Sequence, residues 1–347
     1  TSEMLRMKSI VRGWRFERGH NTICFVGDIH GAKDKLEQLW HNIPKRLGSE
    51  DAFDKLQVVF LGDYCDKGPD TKGVLDWLVG LGARHPQQSH HFLCGNHDFA
   101  LASFLGLLPE RHSHNAANNN SKTFIPPAQG DYSATWRDNY TPQRPEGELY
   151  KGPGHERMHL QGVRFAATPS SPFTSHTTFE SYGVEYGDRE GLLAAMPNSH
   201  LEFIANLEWI VKLRSQIGDV VAVHAGLEDE DGSDLERMAH MLNSRDPALL
   251  HLPFIEPLCG KANVERMPSA LQPRILRKRG YIPPPLFLVS GHHGFVKISG
   301  RRIIMDMCGG KEGNDLGALL LSREGGVGSS HTQVSNDIGV SMNVVTS

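Results

Sequence analysis

The 347-residue chain contains no apolar stretch close to the roughly 20 residues needed to span a bilayer. It also lacks a surplus of positive charge: 36 Lys and Arg face 40 Asp and Glu, a formal net charge of −4. Gripping nucleic acid requires basic surface to neutralise phosphates, so neither a membrane nor a nucleic-acid partner is expected. Cysteine is scarce, at five residues (Cys24, Cys65, Cys94, Cys259 and Cys308). An odd number without a CxxC pair argues against a disulfide framework or a zinc ribbon. None of the five is followed by arginine after five intervening residues, so the nucleophile loop of cysteine-dependent phosphatases is absent. Cysteines within or beside apolar runs act instead as small hydrophobes. Residues 1–20 are basic but have no apolar core of a secretory signal, and they read as a solvated N-terminal arm. A cytoplasmic protein is expected, with the nucleus as a second compartment, and a monomer is the expected state.

What the chain does contain is one pattern used five times. TICFV runs into GDIHG, QVVFL into GDYCDKG, HHFLC into GNHD, VVAV into HAG, and LFLVS into GHHG. Short apolar runs rich in β-branched and aromatic residues, closed by Gly and a polar residue, read as buried strands. Each strand would then present its polar residues at its C-terminal end, where open α/β sheets place ligands. Helices fit between them. Leu36, Leu39, Trp40, Ile43 and Leu47 recur at helical spacing, with Pro44 expected to kink or end that helix early. Val74, Leu75, Leu78 and Leu81 mark a second helix. Leu201 to Ile217 suggest a longer one capped by Ser199. Further strands are expected around residues 164–168, 302–307 and 318–322.

The expected fold class is therefore α/β, with two mixed sheets packed as a central β-sandwich and flanked by helices. Residues 21–324 would form one catalytic domain, interrupted by an irregular Asn-, Pro- and Gly-rich insertion at about 108–157. The Gly- and Ser-rich residues 325–347 would form a flexible tail.

The polar turns carry the chemistry. Asp28 and His30, Asp63, Asn96, His224 and His292 together supply carboxylate, amide and imidazole donors. Such sets suit manganese, iron or zinc, and they build paired-metal sites in hydrolytic enzymes in which a carboxylate such as Asp63 can bridge the two ions. Two divalent or trivalent ions are thus the expected cofactors. Paired metals would turn a water into hydroxide near neutral pH and bind phosphoryl oxygens. His97 could then protonate the leaving oxygen, with Asp66 holding its imidazole and Lys67 offering charge to the phosphate. Any one of these motifs alone would be an ordinary turn, because Gly and Asp favour that geometry. Five in order, each after an apolar run and each with a metal-competent residue, point to a site.

This series of signatures, over about residues 22–310, resembles the metal-dependent phosphoprotein phosphatases. The resemblance implies a metallophosphoesterase fold in which Asp28 and His30 hold one metal, Asp63 bridges, and Asn96, His224 and His292 hold the second. It also implies that His97 and Asp66 form the acid dyad. GDYCDKGP, GNHDFA, FLGLLP, MHLQG, FESYG, HAGLE and SGHHG are together similar to the bacterial-like branch, specifically the plant and algal Rhizobiales-like phosphatases. That branch implies phosphoprotein substrates and a preference for phosphotyrosine, with doubly phosphorylated Thr-x-Tyr segments as one form. Lys67 stands where the family usually has Arg, and Lys lacks Arg's bidentate fork. Asn96 and Lys67 would contact the phosphate, together with a further basic residue among Arg245, Lys261 and Arg266. Arg245 is taken as the first choice. Two other readings compete: a nucleotide or dinucleoside polyphosphate hydrolase on the same fold, and a non-catalytic phosphoprotein-binding module. The latter would require a lost ligand or acid, and every position is filled.

Overall fold

The computed structural model describes residues 15–16, 22–107, 165–166, 173–227, 239, 242, 256–260, 264–271, 285–323 and 340–347. One sheet contains β2 (Thr22–Val26), β3 (Gln57–Phe60), β4 (Ser89–Phe92), β10 (Gly317–Arg323) and β11 (Val340–Thr346), in the spatial order β11–β10–β2–β3–β4. The other contains β1 (Arg15–Phe16), β5 (Val211–Arg214), β6 (Asp219–Ala222), β7 (Leu286–Ser290), β8 (Val296–Ser299) and β9 (Arg302–Met305), ordered β1–β5–β6–β7–β9–β8. Both are mixed: β2, β3 and β4 run parallel, as do β6, β7 and β9, with antiparallel strands outside them. The helices are α1 (Lys33–Leu47), α2 (Glu50–Asp54), α3 (Thr71–Val79), α4 (Leu81–Arg84), α5 (Asn96–Leu105), α6 (His176–Ser181), α7 (Arg189–Ala195), α8 (Asn198–Ala205) and α9 (Glu256–Cys259).

Alternation along each strand divides the core in two. Ile23 and Phe25 meet Val59, Phe287, Ile303 and Leu319 between the sheets. Cys24 and Val26 instead join Leu36, Leu39 and Val58 beneath the helices. Both faces are covered, which is why the strands read as unbroken apolar runs. The expected two-sheet sandwich with flanking helices is the observed architecture.

Several local expectations need correction. Pro44 does not end α1, which continues to Leu47. Gly48 closes it in the left-handed region at φ 66°, its N–H donating to the Pro44 carbonyl. The periodic run from Leu201 is not one helix. α8 stops at Ala205, and Val211 to Arg214 alternate buried and half-buried as β5, because apolar Val211 and Leu213 alternating with Lys212 and Arg214 suit a strand with one buried face. Pro197, not Ser199, occupies the cap position of α8. Phe165 is helical where a strand was expected. Arg15 and Phe16 form a strand paired with Leu213 and Arg214; the rest of the expected N-terminal arm lies outside the described residues. Within the supposed flexible tail, β11 pairs with β10 along seven residues. Its buried residues explain this: Val340 and Met342 join the core between the sheets and Val345 the core beneath the helices, which outweighs the Gly and Ser content ahead of the strand. Asn42 of α1 donates to the Thr346 carbonyl at 3.0 Å, and Arg46 to Asn343 at 2.7 Å, fastening the strand. The insertion at 108–157 lies outside the described residues.

The docking of β11 has a measurable cost of disruption. Val345→Asp would bury an unpaired carboxylate and is expected to lower unfolding free energy by about 2 kcal/mol or more, read as a reduced urea midpoint. An unchanged midpoint would mean the segment is not packed.

Candidate active site

Five strand ends converge. β2 is followed by Asp28 and His30, β3 by Asp63, β4 by Asn96 and His97 at the start of α5, β6 by His224, and β7 by His292. Because β2, β3 and β4 run parallel, as do β6 and β7, their C-terminal ends lie on one edge of the sandwich. His224 spans the sheets directly, its Nδ1 donating to the Leu61 carbonyl at 2.7 Å.

Close approach is possible because the turns contain glycine. A Cβ at Gly95 would overlap Asp63 Oδ1, and one at Gly291 would overlap Asp28 Oδ1. The backbone itself is strained. His30, Asp63, Asp66, Lys67 and His292 have φ of 48°, 56°, 71°, 60° and 69°. Each costs a non-glycine residue about 1–3 kcal/mol, and such strain is concentrated where function fixes geometry.

The side chains form two overlapping groups around Asp63. Its Oδ2 lies 3.4 Å from His30 Nε2, 3.5 Å from His224 Nε2 and 4.0 Å from His97 Nε2. Its Oδ1 accepts from the His97 backbone N–H at 3.0 Å, near the positive end of α5. On one side, His30, Asp63 and His97 bring donor atoms within metal-ligating reach of one another. On the other, Asp63, His224 and His292 do the same. Asn96 Oδ1 completes the second group, 3.2 Å from His224 Nε2 and 3.0 Å from His292 Nδ1. Asp28 borders the first: its Oδ2 is 3.9 Å from His30 Nε2, and both its oxygens accept from the His292 N–H.

These residues fit a metal on their own chemistry. His30 Nδ1 donates to the Cys65 carbonyl at 3.0 Å, as His224 Nδ1 does to Leu61. A backbone acceptor on one ring nitrogen turns the lone pair of the other towards a cation. The electrostatics agree. Burial, with Asp306 and Asp63 nearby, pushes the Asp28 carboxyl well above the carboxylate range. Burial alone would lower His224, but Asp63 and Asp28 outweigh it and hold the imidazole up to about 10. Burial alone would raise Asp63, but His224 and His97 beside it hold its carboxyl well below the carboxylate range.

Beside this cluster, His97 Nδ1 is 2.8 Å from Asp66 Oδ2, with both side chains buried. Burial disfavours each charged form, lowering His97 and raising Asp66. That arrangement leaves Nε2 turned towards Asp63. Lys67 Nζ is 2.7 Å from His30 Nε2, so in this structure it faces the would-be metal donor instead of open solvent. Arg266 is exposed, while Arg245 and Lys261 lie outside the described residues. Cysteine chemistry finds no support here: burial pushes Cys24 up to about 12 and Cys65 well above the thiol range.

Two residues escaped the sequence reading. Asp98 is fully buried and accepts from the backbone N–H groups of Asp63 (2.7 Å), Tyr64 (2.9 Å) and Gly95 (2.8 Å). It binds the second and third turns together. An acidic residue at the third position of a helix was the available signal. Asp306 accepts from Gly294 N at 2.6 Å and Cys308 N at 2.7 Å behind Asp28; nothing local in the sequence marks it.

A two-sheet sandwich with an Asp- and His-rich cluster at the strand ends defines a metal-dependent hydrolase. The chain belongs to the calcineurin-like phosphoesterase family, whose model matches residues 22–293. Among curated proteins it is similar to the asymmetrical bis(5′-nucleosyl)-tetraphosphatase of Oceanobacillus iheyensis, with 30% identity over 84 residues. That stretch is 24% of this chain and 32% of the relative, so the chain spans about a third of that relative's length. Among solved structures it resembles a cold-active protein-tyrosine phosphatase of Shewanella, at 18% identity and TM-score 0.41, covering 88% of this chain and 77% of that one. It also resembles a serine/threonine phosphatase of Saccharomyces cerevisiae, at 14% identity and TM-score 0.44, covering 95% and 81%. No helix among the described residues is long and apolar enough to cross a membrane.

Asp98→Ala would leave three buried N–H groups without their acceptor. The expected loss is about 3 kcal/mol or more of stability, by denaturant titration, with weaker metal retention in the same sample. Wild-type values for both would show that Asp98 does not organise the turns.

Proposed function

We propose that the chain is a phosphoprotein phosphatase that hydrolyses phosphate monoesters with two metal ions and prefers phosphotyrosine. The observation that carries the catalytic reading is the pair of donor groups sharing Asp63 Oδ2, with the His97–Asp66 pair beside them. Asp28 and His30 would hold one ion, Asn96, His224 and His292 the other, and Asp63 both. Manganese, iron or zinc suits these donors. Bound ions supply positive charge to the phosphoryl oxygens and lower the pKa of water.

The chain's own residues do the rest. Asn96 Oδ1 is committed to the cluster, which leaves its amide N–H groups to donate to a phosphoryl oxygen. Lys67 cannot keep its ammonium on His30 Nε2 once a cation binds there, so it turns to the phosphate. His97 gives its Nε2 proton to the leaving oxygen while Asp66 holds Nδ1. Arg245 remains the proposed second basic partner of the phosphate. The tyrosine preference, with Thr-x-Tyr segments as one substrate form, rests on the branch resemblance of the seven motif segments. The stretch shared with a tetraphosphatase supports dinucleoside polyphosphates as the competing substrate class.

One assay separates these. Protein stripped with a chelator should lose activity, and manganese, iron or zinc should restore it. The restored enzyme should hydrolyse phosphotyrosine peptides at least about tenfold faster than phosphoserine peptides or diadenosine tetraphosphate, a difference of about 1.4 kcal/mol. Equal peptide rates would remove the tyrosine preference. Faster turnover of the dinucleotide would overturn the phosphoprotein reading.

A further inference from the structure

We infer that Thr178 is a positioning residue for the proton donor, a role that rests on the proposed reading of His97 as general acid. Thr178 is fully buried in α6 and lies 112 positions from Asp66 in the chain. Its hydroxyl donates to Asp66 Oδ1 at 2.6 Å, while Asp66 Oδ2 meets His97 Nδ1 at 2.8 Å. The two carboxyl oxygens therefore have different partners. Only Oδ2 is left for the imidazole.

Proton bookkeeping fixes the directions. A threonine hydroxyl has one proton, and that of Thr178 is committed to Asp66. At the 3.1 Å contact between Thr71 Oγ1 and Thr178 Oγ1, Thr71 must then be the donor. Both hydroxyl oxygens are left to accept from the Asp66 N–H, at 3.2 and 3.1 Å. Thr178 thus holds Asp66 at both its backbone and its carboxyl. That is needed, because Asp66 sits at φ 71°, a conformation an aspartate does not favour unaided.

The helix bearing Thr178 is itself anchored. Lys72 N donates to Ser181 Oγ at 3.2 Å, and Lys67 N to the Thr174 carbonyl at 3.5 Å. Just beyond the helix, Tyr182 Oη donates to His200 Nδ1 at 2.7 Å, and His200 Nε2 donates to Asp76 at 3.0 Å. Phe179 beside Thr178 is buried in the aromatic core with Phe104 and Phe165. A change at Thr178 therefore acts on Asp66 without releasing the helix.

Thr178→Val keeps the shape and removes the donor. It is tested on phenyl phosphate and 4-nitrophenyl phosphate, because the more basic phenolate depends more on an acid. The expected result is a fall in kcat of about 10- to 100-fold on phenyl phosphate, the range typical of an orienting partner, and a smaller one on the nitrophenyl ester. KM should be unchanged on both. Thr178→Ser should restore the rate, and in a His97→Asn background Thr178→Val should add less than about twofold, since interacting positions are non-additive. Equal losses on the two esters, or the full loss on top of His97→Asn, would overturn the assignment and leave a packing role only. If His97→Asn itself hits both esters equally, the acid reading fails instead. Should the valine variant not fold, Thr178→Ala carries the same comparison.

Discussion

Asp63 lies between two imidazoles that are held from behind. Its Oδ2 is within 3.5 Å of His30 and His224, each of which gives its other nitrogen to a backbone carbonyl. The rest of the site is arranged so that this carboxylate can stay there. The Asp63 backbone N–H is gripped by Asp98, its Oδ1 caps α5, and the glycine at position 95 clears the space it fills. Burying a carboxylate without compensation is costly, so the cluster must neutralise it with protons or with cations. The raised values at Asp28 and His224 are the signature of that demand.

The two sheets matter because no single strand could supply these donors. The first sheet brings Asp28, Asp63 and Asn96, and the second brings His224 and His292. The apolar layer of Phe25, Val59 and Phe287 between them sets the distance. Close-packed interiors transmit small displacements, so the spacing of these donor atoms depends on side chains far from any polar atom. Left-handed backbone at five site positions, including Asp66 and His292, adds strain that this packing must hold in place.

Much of this was legible in the sequence, and the reason is local. Strand, turn and ligand fall within a few residues of each other, so TICFVGDIHG announces both a buried strand and the residues it delivers. Asp28, His30, Asp63, Asp66, Asn96, His97, His224 and His292, all named from the sequence, lie together in the structure. What was not legible depends on long-range partners or on competition between patterns. Thr178 meets Asp66 across 112 positions, and Asp306 lies behind Asp28 with no motif around it. Leu201 to Ile217 matched a helical period, yet the alternation within Val211–Arg214 and its pairing with β6 prevailed. β11 was hidden by the Gly- and Ser-rich stretch before it. The contact of Lys67 with His30 was not legible either, because one residue's spacing says nothing about where a long side chain turns.

In the proposed enzyme one carboxylate, Asp63, joins two metal centres. Anomalous diffraction from crystals of the metal-loaded protein would locate the ions. Two separate peaks are expected on either side of Asp63, one beside Asp28 and His30 and one beside Asn96, His224 and His292. A single peak, or two that do not share Asp63, would mean that no carboxylate bridges a metal pair.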